Sequence, residues 1–131
     1  MLRAMLQPRN AGVGERRSRA RQRVLYRLDV VAGDGSNGCL LDVSAAGLRV
    51  RFKQALDVGA IQSLRIEFPL WLELGSGLEV HGRFVWVRTT QAGATEAGFA
   101  FDELPRKVAS VLEVLVQRLS EALVEDDPEA C

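Results

Sequence analysis

Two groups of residues in this chain could recognise a ligand, and they lie about twenty residues apart. The first is the run Asp42-Val43-Ser44-Ala45-Ala46-Gly47, which has apolar, strand-like residues on both sides. The Asp and Ser side chains can bond backbone N–H groups within a turn, and a glycine can take φ > 0 at no steric cost. Taken alone, this run predicts an ordinary corner between two strands.

The second group is a run of arginines that ends in the first predicted strand. It contains three overlapping Arg-x-x-x-Arg pairs, namely Arg17/Arg21, Arg19/Arg23 and Arg23/Arg27. A guanidinium fork donates paired hydrogen bonds to phosphate oxygens or to O6 and N7 of guanine, and its flat face stacks on a base. Two forks at the entry to a strand can therefore clamp a compact nucleotide.

Charge is distributed unevenly along the chain, although the formal net charge is zero. Residues 1–27 hold eight arginines and one acid, Glu15, which gives +7, so the rest of the chain carries −7. The basic segment requires an anionic partner. That partner could be the acidic remainder of the protein itself, a nucleic acid, a membrane surface or a small phosphorylated ligand.

The sequence does not indicate a catalytic or metal site. His81 is the single histidine, and two cysteines are too few for a disulfide framework or a zinc site. Ser44 has no neighbouring base that would activate it, and no Gly-rich loop leads from a strand into a helix. We therefore expect a binding protein that is not an enzyme and has no cofactor and no metal.

Apolar alternation predicts short strands, and a change of period predicts one helix. The strands are expected at 24–31, 39–43, 48–52, 61–68, 78–88 and about 97–101. From Pro105 the apolar residues recur every three or four positions, which predicts a helix over 105–125. We expect an α+β, mostly β fold in which the six strands form an antiparallel barrel or a rolled sheet, followed by a C-terminal α-helix.

The chain length of 131 residues predicts one domain. We expect a flexible tail over 1–15, a domain over 16–125 that begins with an arginine-rich entry loop (16–23), and an acidic tail over 126–131. The helix has a broad apolar face, and two interpretations of it stay open. It covers the open end of the barrel, or it forms a homodimer.

Four motifs in the same order resemble the PilZ domain family of cyclic di-GMP receptors. They are the Glu15-Arg16-Arg17 opening with its arginine pairs, the Asp42–Gly47 run, Gly82-Arg83-Phe84-Val85-Trp86, and Gly98-Phe99-Ala100-Phe101. The resemblance extends from Glu15 to the final helix. It implies a PilZ-like barrel of the split-barrel type in a bacterial, cytoplasmic protein.

The resemblance also implies which residues bind the ligand. Arg19 and Arg23, with Arg17 and Arg21 as neighbours, would contact phosphate and guanine. Asp42 would accept from guanine N–H groups, Ser44 would add a hydroxyl bond, Gly47 would let the backbone turn closely, and Trp86 completes the set. The pair Arg19/Arg23 is favoured because Val24 follows directly, the Glu-Arg-Arg opening favours Arg17/Arg21, and Arg23/Arg27 would fall inside the strand.

The function implied by the resemblance is reception of cyclic di-GMP without its turnover. Ordering of the arginine loop is the expected signal, passed to a protein partner that controls motility, exopolysaccharide or biofilm formation. Two alternatives are a nucleic-acid-binding β-barrel with a basic arm and a PilZ adaptor that binds only protein. The acidic remainder of the chain disfavours a nucleic acid, no membrane contact is expected, and the output and the number of ligand molecules stay open.

Overall fold

The computed structural model describes residues 21–24 and 26–121. The predicted tails, residues 16–20 of the arginine loop and the end of the predicted helix lie outside these residues, so the predicted domain bounds stay predictions. Seven strands, one 3-10 turn and one α-helix follow one another in the described part of the chain. They are β1 (Gln22–Arg23), β2 (Asp29–Ala32), β3 (Asn37–Val43), β4 (Gly47–Phe52), β5 (Ile61–Glu67), the 3-10 turn (Leu70–Leu72), β6 (Gly77–Thr89), β7 (Thr95–Phe101) and α1 (Arg106–Glu121).

Six of these strands form a closed antiparallel barrel, as predicted. Around the barrel the order is β3-β2-β5-β6-β7-β4, and pairing of β4 with β3 closes it. The thirteen-residue strand β6 makes this closure possible because its first half pairs with β5 and its second half with β7. Closure leaves no free edge among these six strands, which removes the usual site of edge-to-edge association.

The seventh strand, β1, lies at the end of the predicted arginine-rich loop (16–23), and the strand predicted over 24–31 is present only as β2, which begins at Asp29. β1 and β2 pair with the two ends of the same edge of β3, and the residues between them contain a bend at Tyr26. The apolar alternation survives the interruption, since Val24, Leu28 and Val30 are all buried. These three side chains therefore belong to the core, although the prediction of one continuous strand over 24–31 was wrong.

The barrel interior and one face of α1 share a single core. Leu112, Leu115 and Leu119 are buried in the same cluster as the inward side chains of the strands, and three further helix residues pack against it (Val108, Val111 and Val116). The helix contacts β1 and β6. The apolar face of the helix is thus covered within the chain itself, which leaves the predicted homodimer without support.

Two other features of the fold bear on the predictions. Gly82 was compatible in the sequence with a bulge or with a close backbone approach; a Cβ there would lie 2.0 Å from the carbonyl oxygen of Ala100, so the backbones of β6 and β7 approach closely at this position. Among the described residues, no helix is both long and apolar enough to cross a membrane.

Candidate functional site: a groove on the outer wall of the barrel

A row of residues crosses the outer wall of the barrel from β3 to β6. Asp42 on β3 is opposite Arg49 on β4, Arg49 is opposite Gly98 on β7, and Gly98 is opposite Trp86 on β6. Residues directly opposite each other in antiparallel strands project from the same face of the sheet. The Asp-x-Ser-x-x-Gly corner, the Gly98 motif and the Trp86 motif are therefore parts of one surface.

Two β-bulges create this row. The register of β3 against β4 shifts between Leu40 and Asp42, and the register of β6 against β7 shifts between Phe84 and Trp86. Strict alternation would turn Asp42 and Trp86 toward the same side as the buried Leu40 and Phe84. The extra residue in each strand reverses that direction, so both side chains reach the outer face, which is the re-aiming that bulges produce.

Asp42 is the electrostatic centre of the site. Its side chain is only 8% exposed, and its two oxygens have different partners. Oδ2 accepts a hydrogen bond from Nε of Arg49 at 2.8 Å, and Oδ1 accepts from Nη1 of Arg21. A buried carboxylate requires such partners because an unpaired charge in this position would be strongly destabilising. Two arginines around one acid leave the site with net positive charge, which suits an anionic ligand.

Trp86 forms the other end of a groove of about 480 Å³. Trp86 is 39% exposed, and its indole lies against Gly98, where a Cβ would be 2.2 Å from Nε1. Because Gly98 has no side chain, the indole can approach the backbone of β7 closely while part of Trp86 stays accessible to solvent. The groove is lined by Arg21, Asp42, Ala46, Gly47, Leu48, Arg49, Val85, Trp86, Gly98, Phe99 and Ala100.

The corner between β3 and β4 is held by Ser44, which is buried. Its hydroxyl accepts from the backbone N–H of Ala46 at 3.2 Å and lies 3.5 Å from the carbonyl oxygen of Gly47. The serine thus stabilises the turn, and its hydroxyl bond to a ligand stays a prediction. The sequence suggested that Gly47 is needed because a glycine can adopt a positive φ. That reason was wrong, since the φ of Gly47 is not positive. Glycine is required there because a Cβ would lie 2.2 Å from the carbonyl oxygen of Phe99.

The arginines predicted from the sequence have different surroundings. Arg21 lines the groove and contacts Asp42. Arg23 pairs with Asp42 through the backbone register, but its side chain is exposed and does not line the groove. Arg27 forms an exposed ion pair with Asp29 at 2.8 Å. Arg17 and Arg19 lie outside the described residues, so the identity of the ligand-binding pair stays a prediction.

A second cluster of charges lies one step along the same strands. The Glu96 carboxylate is held by Arg51 through Oε2 and by Arg88 through Oε1, each at a closest distance of 2.7 Å. These contacts hold the pKa of Glu96 below its usual value, chiefly through the hydrogen bond from Arg51 and then that from Arg88, although burial acts in the opposite direction. Glu96 with two arginines resembles Asp42 with two arginines, but among the described residues the pocket beside Glu96 is lined by no aromatic side chain, whereas the groove is lined by Trp86.

Arg49 is the groove residue that the sequence analysis did not single out. Its position in an alternating strand marked it only as an outward polar residue, and with no bulge Leu41 would have been its partner across the corner. The signal that could have found it was chemical, since Asp42 at an inward position of a barrel strand would conflict with an apolar core.

The model of the PilZ domain family matches residues 15–118 of the chain. The chain therefore belongs to the PilZ domain family, as its four motifs predicted. No curated protein matches the chain in sequence.

Solved structures with the same fold include two that contain the PilZ domain of YcgR from Escherichia coli. The isolated domain with c-di-GMP has a TM-score of 0.64 at 14% identity, over 81% of this chain and 92% of that one. The larger YcgR complex with c-di-GMP has a TM-score of 0.65 at 15% identity, over 79% of this chain and 46% of that one. The Bacillus subtilis inhibitor of motility (MotI/DgrA) has a TM-score of 0.63 at 16% identity, over 83% and 54%. This chain thus spans about half of the last two proteins.

Proposed function

We propose that this protein is a receptor for cyclic di-GMP and that the groove between Asp42 and Trp86 holds one guanine of the ligand. The observation that carries the proposal is the groove, in which the cross-strand row brings a buried carboxylate, the Arg49 guanidinium and a partly exposed indole onto one surface, and Arg21 adds a second guanidinium. The E. coli relatives were solved with c-di-GMP, which is consistent with this ligand class.

Each element of the groove suits one part of the ligand. The indole of Trp86 offers a stacking surface, and a base stacked on an aromatic ring contributes about 1–3 kcal/mol. Asp42 accepts from the N1–H and N2–H groups of guanine, and Arg21 turns from Asp42 to a phosphate or to O6 and N7. Each bidentate guanine contact contributes about 1–3 kcal/mol, and a micromolar complex requires about 8 kcal/mol in total. Stacking, one carboxylate contact and contacts from both arginines of an Arg-x-x-x-Arg pair reach that total.

Binding, and not catalysis, is the activity that these residues favour. Within residues 21–24 and 26–121, no group of three or more metal-ligating side chains could hold an ion. The signal in this proposal is a change in the arginine segment 16–23 when Arg21 engages the ligand, which alters the surface offered to a protein partner. Motility, exopolysaccharide and biofilm formation are the outputs proposed, and the B. subtilis relative is named for motility.

Titration calorimetry with cyclic di-GMP tests the receptor proposal. We expect the wild type to bind with low micromolar affinity or better, and Arg21→Ala to weaken binding more than about tenfold because a charge-assisted contact is lost. Arg27→Ala is the matched control, since Arg27 is an exposed arginine of the same segment that pairs with Asp29, and it should change affinity less than about twofold. Arg23→Ala then shows which overlapping pair binds.

Three results would contradict the receptor proposal. Undetectable binding at about 100 μM ligand would exclude it, since that implies less than roughly 6 kcal/mol of binding free energy. Tighter binding of a short single-stranded RNA would favour the basic-arm alternative. Equal amide exchange across 16–23 with and without ligand would exclude the proposed signal while leaving the binding site intact.

A further inference from the structure

Arg21 and Arg49 both line the groove, and Arg49 is the more firmly anchored of the two. Its backbone is paired on both sides, with Asp42 on β3 and with Gly98 on β7. Its Nε donates to Oδ2 of Asp42 at 2.8 Å, and its side chain is 38% exposed. The guanidinium therefore projects from the middle of a closed sheet, where the backbone is fixed by ladders in both directions.

Arg21 holds the other oxygen of Asp42 from a less constrained position. It precedes β1, a two-residue strand that pairs with β3 alone within the described part of the chain. Its side chain is 45% exposed and donates to Oδ1. One oxygen of the carboxylate is thus held by an arginine built into the barrel, and the other by an arginine at the edge.

Because the two arginines differ in this way, Asp42 can keep acceptor positions for the N–H groups of a base. An ionised carboxylate has about four acceptor positions on its two oxygens. Nε of Arg49 occupies one of them, so both oxygens keep free positions for N1–H and N2–H of a guanine once Arg21 turns away. We infer that Arg49 is the positioning residue that fixes the Asp42 carboxylate in the orientation that discriminates guanine from other bases. This inference rests on the proposed function and adds the determinant of base selectivity.

Paired titrations with two ligands test this role. Cyclic di-IMP carries hypoxanthine, which lacks the 2-amino group of guanine and so offers Asp42 one N–H group fewer. We expect the wild type to prefer cyclic di-GMP by about tenfold or more, as for the loss of a hydrogen bond to a charged group. Arg49→Ala should weaken cyclic di-GMP binding by about tenfold while affecting cyclic di-IMP less, so that the preference falls toward one.

Two further variants separate positioning from a general loss of charge. Arg51→Ala is the matched control because Arg51 lies two residues along on the same outer face of β4 and is bound to Glu96 instead. It removes the same charge and should leave the preference within about twofold of wild type. Arg49→Lys keeps a cationic donor beside Asp42 and should restore most of the preference.

The possible outcomes distinguish this inference from the proposed function. Equal weakening of both ligands in Arg49→Ala, with the preference unchanged, would overturn the inference, because it would mean that Arg49 contacts phosphate directly. An unchanged affinity for cyclic di-GMP, or a wild type without preference, would also overturn it. A wild type that binds neither dinucleotide would overturn the proposed function as well. If circular dichroism shows that Arg49→Ala does not fold, Arg49→Met retains the apolar stem and should lose the same preference.

Discussion

Replacing Gly47 by alanine tests why the corner beside the groove ends in glycine. The added Cβ would lie 2.2 Å from the carbonyl oxygen of Phe99, 3.2 Å from its carbonyl carbon and 3.3 Å from Cα of Ala100. All three atoms belong to the backbone of β7, so no side-chain rotation relieves the contact. To reach even 3.0 Å from the oxygen, β4 and β7 must separate by about 0.8 Å (3.0 minus 2.2).

The expected cost follows from the contacts that this separation disturbs. Overpacking of this kind costs about 1–3 kcal/mol. One backbone hydrogen bond that joins the corner to the end of β7, Phe101 N to Ala46 O at 3.1 Å, is weakened as the strands part. At about 1 kcal/mol for the loss of this bond, the total is about 2–4 kcal/mol, a large part of the 5–15 kcal/mol that a typical domain has.

Urea unfolding of Gly47→Ala, Gly47→Asn and Gly35→Ala measures this cost. Gly35 has φ +90°, and an added Cβ there would have nothing within 4 Å, so Gly35→Ala reports backbone strain alone, at about 1 kcal/mol. Asparagine tolerates positive φ, so Gly47→Asn would be milder than Gly47→Ala if conformation were the reason for glycine. Crowding predicts the opposite order. A Gly47→Ala protein within about 0.5 kcal/mol of wild type would refute the argument.

Two further predictions concern neighbouring positions on the same wall. Gly98→Ala should stay folded but displace the indole of Trp86, whose Nε1 would be 2.2 Å from the new Cβ. In a Trp71→Phe background, the maximum of the tryptophan fluorescence should shift and cyclic di-GMP should bind about tenfold more weakly. An unchanged fluorescence spectrum would contradict the position of Trp86 against Gly98. Glu96→Gln should be less stable than wild type at pH 7. Folding lowers the pKa of Glu96, so the ionised carboxylate stabilises the folded protein above the unfolded pKa of 4.5, and this stabilisation is lost as the pH falls through the folded pKa. The difference in urea midpoint between the wild type and Glu96→Gln should therefore narrow below about pH 5. A constant difference would exclude the ion pairs as its cause.

The fold could be predicted from the sequence because its strands and helix follow simple periods. Leu48, Val50 and Phe52 alternate with arginines and are all buried, and the three-and-four spacing of the helix correctly gave its buried leucines. Ring closure, by contrast, depends on which strands pair at a distance. The resemblance to PilZ domains supplied that topology, since alternation alone fits a rolled sheet equally well.

The residue types of the site could be predicted from the sequence, but the face of the sheet from which each side chain projects could not. Leu40 and Leu41 are both apolar, as are Phe84 and Val85, so nothing in the alternation marks either bulge. The registers are set by partners on other strands. The pairs Asp42/Arg49 and Trp86/Gly98 lie on the turn side of their bulges, and the bulges put them on the opposite face from the buried Leu40 and Phe84. A pattern read along one strand contains no information about such pairs.

The groove combines a wall of barrel residues with one arginine, Arg21, that lies outside the six barrel strands. Asp42, Arg49, Gly98 and Trp86 belong to four adjacent strands of a closed barrel, so their relative positions are held by ladders on every side. Arg21 precedes a short strand that pairs with β3 alone within residues 21–24 and 26–121, and its side chain contacts Asp42. In the proposed function, Arg21 exchanges Asp42 for a ligand atom, and the four residues of the row would keep their positions during that exchange. On that proposal selectivity would depend on the barrel and the response on Arg21, which would allow each to vary without loss of the other.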